Sequence, residues 1–325
     1  MAAGSLIAMN LPGVAEAAAY QPQPRSVPAT GMRGPMIFVT TPMASRSDRV
    51  VVDYDGMRRN IAFYASQRGS FCLCICGGTG EFDDLTAEEV LQATRAAVEV
   101  KGRTFLVVGV GGSDTNEALA RTKALQSSGA DALLAMPNEA TRAGDQQLTY
   151  THLAALCRAS EIGILPYQAA YQPLDMDTVL RLTELASFVA LKSAGKTAEW
   201  YQELYQRTGR SLPIFPGSDF GAPYWHLAGC AGFTTGLATL VPQACIGLWE
   251  MLDRGEYQKG VTEANRLRPL AKFREEHGTA MLKAGMEILG YAGGPVRASK
   301  KVLNQPQRAA LRKLLEPFSA SAPIA

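Results

Sequence analysis

Between residues 36 and 255 the chain repeats one pattern eight times: a short apolar run, then a segment of helical period. The runs are MIFVTTP, FCLCIC, TFLVVGV, ADALLAM, IGILPY, FVALKS, LPIFPG and AGFTTG. None alternates polar with apolar residues, as expected of strands covered on both faces. The segments between them place apolar residues at helical spacing, and several carry their own start and stop signals. TAEEVLQATRAAVEVKG opens on a capping box, Thr86 to Glu89, and closes on Gly102. Strict alternation of this kind implies parallel strands with the helices outside. Eight such units within about 220 residues predict an α/β fold, a (β/α)8 TIM barrel. An open doubly wound sheet would need a glycine-rich phosphate turn after its first strand, and TTPMASRSD has none. The barrel is expected over residues 35–255, with a C-terminal helical extension over 256–325.

Residues 1–34 differ from the rest, being rich in Ala, Pro, Gly and Gln. The stretch SLIAMNLPGVAEAAAY has some leader-like apolar character. No basic residue precedes Arg25, however, and Asn10 and Pro12 interrupt the apolar part. A mobile N-terminal arm is expected, with a processed leader as the alternative. The net charge of +2 gives no electrostatic case for nucleic acid or an anionic membrane. No apolar run is long enough to span a bilayer.

The stretch FCLCIC brings Cys72, Cys74 and Cys76 together at a spacing of two. Metal and redox motifs use C-x-x-C, which turns both sulfurs to one point. Spacing two along a strand instead stretches all three along one face. The cysteines are therefore expected to pack as small hydrophobes in a cytoplasmic protein. No His, Asp or Glu grouping has metal-ligand spacing either, so neither metal nor cofactor is expected. His152, His226 and His277 fall in separate helices and are expected to be structural or surface residues.

In a (β/α)8 barrel, chemistry sits at the C-terminal ends of the strands. Strand two runs into GGTGE, strand four into MPNEA and strand seven into PGSD. Strand five ends on Tyr167, strand six on Lys192 and strand eight in FTTG. Lys192 follows FVAL, so its ammonium stands at the end of an apolar strand. Partial desolvation there lowers a lysine pKa and favours the neutral amine, which attacks carbonyls to form a Schiff base. A phenol one strand away, Tyr167, has the chemistry to carry protons during attack and water loss. The structural alternative is a lysine reaching out to solvent beside a tyrosine that caps the core. GGTGE is not a Walker loop, because no Gly-Lys-Ser/Thr follows. Its backbone N–H groups and the Thr79 hydroxyl suit a small carboxylate.

Taken together, GGTGEFDDLTAEE, the strand-five tyrosine, VALKSAGK and the tail GGPVRAS resemble the dihydrodipicolinate synthase/N-acetylneuraminate lyase family. The resemblance covers roughly residues 33–318 and leans towards the 5-dehydro-4-deoxyglucarate dehydratase branch, through GGTGEF and GCAGFTTGLATLVP. It implies a Schiff-base-forming lyase acting on pyruvate or a related 2-oxo acid. It assigns imine formation to Lys192 and proton transfer to Tyr167. Substrate binding falls to Gly78, Thr79 and Gly80, with Gly217 and Thr234. It also implies a cytoplasmic homodimer or homotetramer. The family's synthase pattern has a second threonine where this chain has Gly78, and a tyrosine where it has Asn138. Synthase activity itself is therefore not expected. An arginine commonly follows the strand-five tyrosine to hold a distal carboxylate, whereas this chain reads YQAAYQPL, with Gln168 and Gln172. A preference for 2-oxo acids with a neutral distal end is thus expected, unless Arg142, after strand four, replaces the cation. The alternatives are an aldolase or hydratase-aldolase for a neutral or aromatic partner, with Gln172, Tyr171 and Trp200 near the mouth, and an inactive 2-oxo acid-binding barrel.

Overall fold

A computed structural model describes residues 32–321, apart from 48, 143, 218 and 300. Of the arm expected over residues 1–34, the part up to residue 31 lies outside the described residues, while Met32 is buried, Arg33 pairs with Asp253 and Gly34 opens the first strand. Eight parallel strands make the barrel: β1 (Gly34–Phe38), β2 (Cys72–Ile75), β3 (Phe105–Val110) and β4 (Ala132–Ala135) are followed by β5 (Gly163–Gln168), β6 (Leu191–Ser193), β7 (Ile214–Pro216) and β8 (Gly232–Thr235). From β1 to β7 each strand pairs with the next in sequence, and β8 pairs with β1 through Gly34↔Gly232 to Ile37↔Thr235. Between β7 and β8 the ring closes more loosely. The Ala231 N–H donates to the Ile214 carbonyl at 3.1 Å, and Gly217 bridges Thr234.

The helices between and after the strands are α1 (Tyr54–Ala65), α2 (Ala87–Val98), α3 (Thr115–Gln126), α4 (Gln146–Ala159), α5 (Met176–Thr183), α6 (Ala198–Arg207), α7 (Ala222–Leu227) and α8 (Pro242–Asp253). Their starts are chemically marked. Asp53, Thr86, Asp114, Asp145, Asp175 and Thr197 each accept a hydrogen bond from a first-turn N–H of the helix they precede. The Thr86–Glu89 capping box forms in both directions. α7 and α8 instead carry proline in the first turn, where the missing N–H loses nothing.

Two apolar layers result. Met36, Phe38, Cys72, Cys74, Val107, Leu134, Leu165 and Phe215 fill the barrel. Ile37, Leu73, Ile75, Val108, Leu133, Ile164, Leu191 and Phe233 face outward onto the helices. Burial on both faces explains the unbroken apolar runs. The cysteine expectation needs one correction. Cys72 and Cys74 share the interior, but Cys76 adopts φ +51° past the end of β2 and joins the outer layer. All six cysteines are free and buried, and burial, with the Glu89 charge adding to it, raises the Cys76 thiol to about 12.

Two elements have no counterpart in the sequence pattern. A hairpin, Met43–Arg46 with Arg49–Val52, stands between β1 and α1, and a short helix, Glu139–Arg142, follows β4. No helix among the described residues is long and apolar enough to cross a membrane.

The C-terminal extension consists of α9 (Tyr257–Ile288) and α10 (Gln305–Leu315). α9 bends at Gly278, whose φ of 59° and ψ of −144° are not helical. Its second half packs back on the barrel and delivers Lys283, fully buried, against the Glu81 carboxylate beyond β2. Lys283 Nζ also donates to the Pro295 carbonyl at 2.7 Å. The following loop completes the attachment. The Arg297 N–H donates to Glu81 Oε2 at 2.6 Å, and its guanidinium makes two bonds to Glu89, at 2.7 and 2.8 Å. Glu81 itself holds a left-handed conformation, φ 62°, which a non-glycine residue keeps only when its surroundings enforce it.

Removing one member of a buried ion pair leaves the other charge uncompensated. Lys283→Met should therefore destabilise the protein by about 3–5 kcal/mol in urea unfolding. Adding Glu81→Gln to that variant should restore part of the loss. A single variant as stable as the parent would show that the pair does not anchor the extension.

Candidate active site

A cavity of about 410 Å³ opens at the C-terminal mouth of the barrel. The strand ends build its floor. Lys192 comes from β6 and Tyr167 from β5, and the ladder pairs these two residues directly. Gly78 and Thr79 come from the turn after β2, Gly217 from the end of β7, and Thr234 and Thr235 from β8. Phe38, from β1, and Phe220 supply aromatic wall.

The lysine is the group most altered by its surroundings. It is 5% exposed, and its ammonium stands 4.0 Å from the centroid of the Tyr167 ring. A ring face favours the charged form modestly, whereas desolvation opposes it strongly. Desolvation wins and brings the Lys192 pKa down to about 7, with the Arg274 charge pushing in the same direction. Tyr167 is half-buried, and burial raises its phenol, so it stays protonated and available as a donor. Gly217 makes room for the amine. A Cβ at that position would lie 2.9 Å from Lys192 Nζ and 3.3 Å from Thr234 Oγ1.

The register that faces Tyr167 with Lys192 is locked by their neighbours. Gln168 donates from Nε2 to the Ala194 carbonyl at 2.8 Å and accepts from Ser193 Oγ at 2.9 Å. Tyr201 donates to the same Ser193 oxygen at 3.1 Å. Gln168 is thus a scaffold residue and does not line the cavity. Gln172 is also buried, donating to the Asn138 carbonyl at 3.0 Å and accepting from Thr141 at 3.1 Å. Asn138 continues that network to Thr141 and His152. The His152 ring, held below its usual pKa by burial, bonds Thr115 at 2.9 Å. These residues brace the mouth from behind.

The structure therefore brings Lys192, Tyr167, Gly78, Thr79, Gly217 and Thr234 into one cavity. Gly80 is buried behind it, its carbonyl accepting from Thr41 Oγ1 at 2.6 Å. Tyr171, Gln172 and Trp200 do not line the cavity, contrary to expectation. Tyr171 is exposed, and Trp200 packs on Tyr201 with Lys196 over its ring. The Arg142 side chain lies outside the described residues. Sequence reasoning missed Asp219, Arg274 and Glu275, which also line the cavity. Asp219 was legible as a strand-end acid in PGSD. Arg274 and Glu275 come from α9, and no local pattern ties that helix to the mouth.

Known proteins resemble this chain over most of its length. The model of the "Dihydrodipicolinate synthetase family" matches residues 32–317. A "4-hydroxy-tetrahydrodipicolinate synthase" of Halorhodospira halophila is 32% identical over 294 residues, covering 87% of this chain and 96% of its own. A "probable 5-dehydro-4-deoxyglucarate dehydratase" of Acinetobacter baumannii is 28% identical over 251 residues, covering 73% and 80%. The crystal structure of dihydrodipicolinate synthase from Aquifex aeolicus superposes with a TM-score of 0.79 at 24% identity, covering 90% of this chain and 99% of that one.

A lysine with a pKa near 7 is about half neutral at pH 7, whereas an ordinary lysine is neutral in fewer than about one molecule in a thousand. Competitive acetylation followed by peptide mass spectrometry should thus give Lys192 an inflection near pH 7. An inflection above pH 9 would mean that the amine is solvated. The same shift makes this site's contribution to stability depend on pH. Because the folded-state pKa is depressed, unfolding takes up a proton between about pH 7 and 10, and this site's contribution to stability rises with pH across that window. Lys192→Met should remove the rise.

Proposed function

The chain belongs to the dihydrodipicolinate synthetase family, and from that membership we propose that it is a class I lyase in which Lys192 forms a Schiff base with a 2-oxo acid. The observation that carries this reading is the desolvated amine of Lys192 facing Tyr167 in the cavity. The neutral amine attacks the C2 carbonyl of the substrate. Tyr167 passes a proton to the departing oxygen, water leaves, and the imine forms. Loss of a C3 proton gives an enamine, whose electron pair expels a hydroxyl from C4 with protonation to water. Alternatively, deprotonation of a C4 hydroxyl of the imine breaks the C3–C4 bond and leaves the enamine of pyruvate. Hydrolysis then releases the product and regenerates Lys192.

Dehydration of the 5-dehydro-4-deoxyglucarate type is the proposed direction, supported by the paired glycines of the β2 turn and by the dehydratase-named relatives. Synthase activity is not proposed. Gly78 brings no hydroxyl to the site, and Asn138 is engaged with Thr141 and His152. A second reading, an aldolase with an apolar or aromatic partner, is favoured by Phe38 and Phe220 in the wall. We further propose a cytoplasmic homodimer or homotetramer, to be checked by sedimentation.

Borohydride trapping tests the central step. Pyruvate with borohydride should add a stable mass to Lys192, and Lys192→Arg should abolish it, because guanidinium stays protonated. Labelling that persists in that variant would remove the reading. Turnover of a panel of 2-oxo acids separates a lyase from a barrel that only binds. Gly217→Ala should lower the trapping rate by about a hundredfold by displacing the amine from its attack position. An unchanged rate would show that Gly217 does not set that position.

A further inference from the structure

Arg274 reaches the cavity from outside the barrel, and the mouth is shaped to receive it. Its guanidinium lies against Gly236, where a Cβ would come within 2.7 Å of both Cζ and Nη2. On one edge, Nη1 donates to Asp219 Oδ2 at 2.5 Å. The other oxygen of Asp219 accepts from Thr235 Oγ1 at 2.6 Å, and the Asp219 side chain is only 11% exposed. On the other edge, Nη2 approaches Thr79 Oγ1 at 3.4 Å. Beside Thr79 the chain has Gly78, and a Cβ there would meet nothing within 4 Å. A guanidinium has five N–H donors, so these two partners leave some for a third. The space next to them is the cavity that Lys192 enters.

We propose that Arg274 binds the C1 carboxylate of the 2-oxo acid, jointly with the Gly78–Gly80 turn, in the space that Gly78 leaves open. The proposal deepens the imine reading and rests on it for the identity of the ligand. Two features select the C1 carboxylate over one at the far end of the substrate. Thr79 is shared between the turn and the guanidinium, so a carboxylate on that edge meets both. A second carboxylate on the opposite edge would meet Asp219, and Glu275 also lines the cavity. Asp219 orients the arginine and offsets its charge in the empty site. The recognition element therefore comes from α9 and not from a strand end.

The test uses the whole protein and three ligands, pyruvate, lactate and a 2-oxo diacid. In Arg274→Gln, the pyruvate concentration for half-maximal borohydride trapping should rise about tenfold or more, because a charge-assisted bond is lost, while the trapped end point stays the same. Arg274→Lys should fall between the two, keeping charge without the planar fork. Lactate has the carboxylate but no ketone, so it reports the carboxylate site independently of imine formation. Its saturation-transfer NMR signal should appear with the parent and with Lys192→Ala, and fall several-fold in Arg274→Gln. Gly236→Ala keeps the charge, displaces the guanidinium and should shift both readouts the same way; it carries the test should Arg274→Gln not fold. Unchanged pyruvate and lactate responses in the folded variants would overturn the proposal. So would an effect confined to a 2-oxo diacid, which would assign Arg274 to the far end. A parent that binds lactate through Arg274 but never traps pyruvate would sink the imine reading and leave the carboxylate site standing.

Discussion

The barrel strips water from the amine of Lys192, and the chemistry of the mouth depends on that desolvation. Lys192 stands at the end of an apolar strand with the filled barrel below it and aromatic rings beside it. An ammonium there loses much of its hydration, and the contact with the Tyr167 ring does not make up the difference. The outcome is an amine near neutrality at physiological pH, which is the state a nucleophile needs. Pairing of β6 on both edges, Lys192 with Tyr167 on one side and with Phe215 on the other, encloses the position. The β5–β6 register, locked through Gln168, Ser193 and Tyr201, puts the phenol across from the amine. Gly217 then keeps β7 from filling the space.

The C-terminal extension is part of the same machinery. Its buried Lys283 and the Arg297 main chain hold Glu81, which lies immediately beyond the Gly78–Gly80 turn. This anchorage sustains a left-handed backbone at a residue with a Cβ, and so sets where the turn points. Arg274, on the same helix, reaches Thr79 within that turn. A helix outside the barrel thus acts on the site twice, once by bracing a loop and once by contributing a cation.

How much of the site was legible depends on how local each signal is. Lys192, Tyr167 and the Gly78–Gly80 turn announce themselves because the strand-end rule converts a position in sequence into a position in space. Gln168 and Gln172 misled for the opposite reason. They follow the tyrosine closely, but their amides turn inward to satisfy buried partners, Ala194, Ser193, Asn138 and Thr141, which sequence proximity does not reveal. The three cysteines share a spacing, yet Cys76 leaves the strand at φ +51° and so changes layers.

What the sequence determined by itself is the architecture. Eight unbroken apolar runs of strand length, each followed by a helical segment, are compatible with few arrangements other than a ring of parallel strands inside a ring of helices. It also placed Lys192 and Tyr167 at strand ends on the C-terminal side of the barrel, where both line the cavity. The tertiary structure alone decided how dry Lys192 is, which polar side chains face the cavity, and that Arg274 stands in it. Those properties depend on what packs around each group. The packing partners here lie tens to hundreds of residues away, as Arg274 does from Thr79 and Lys283 from Glu81.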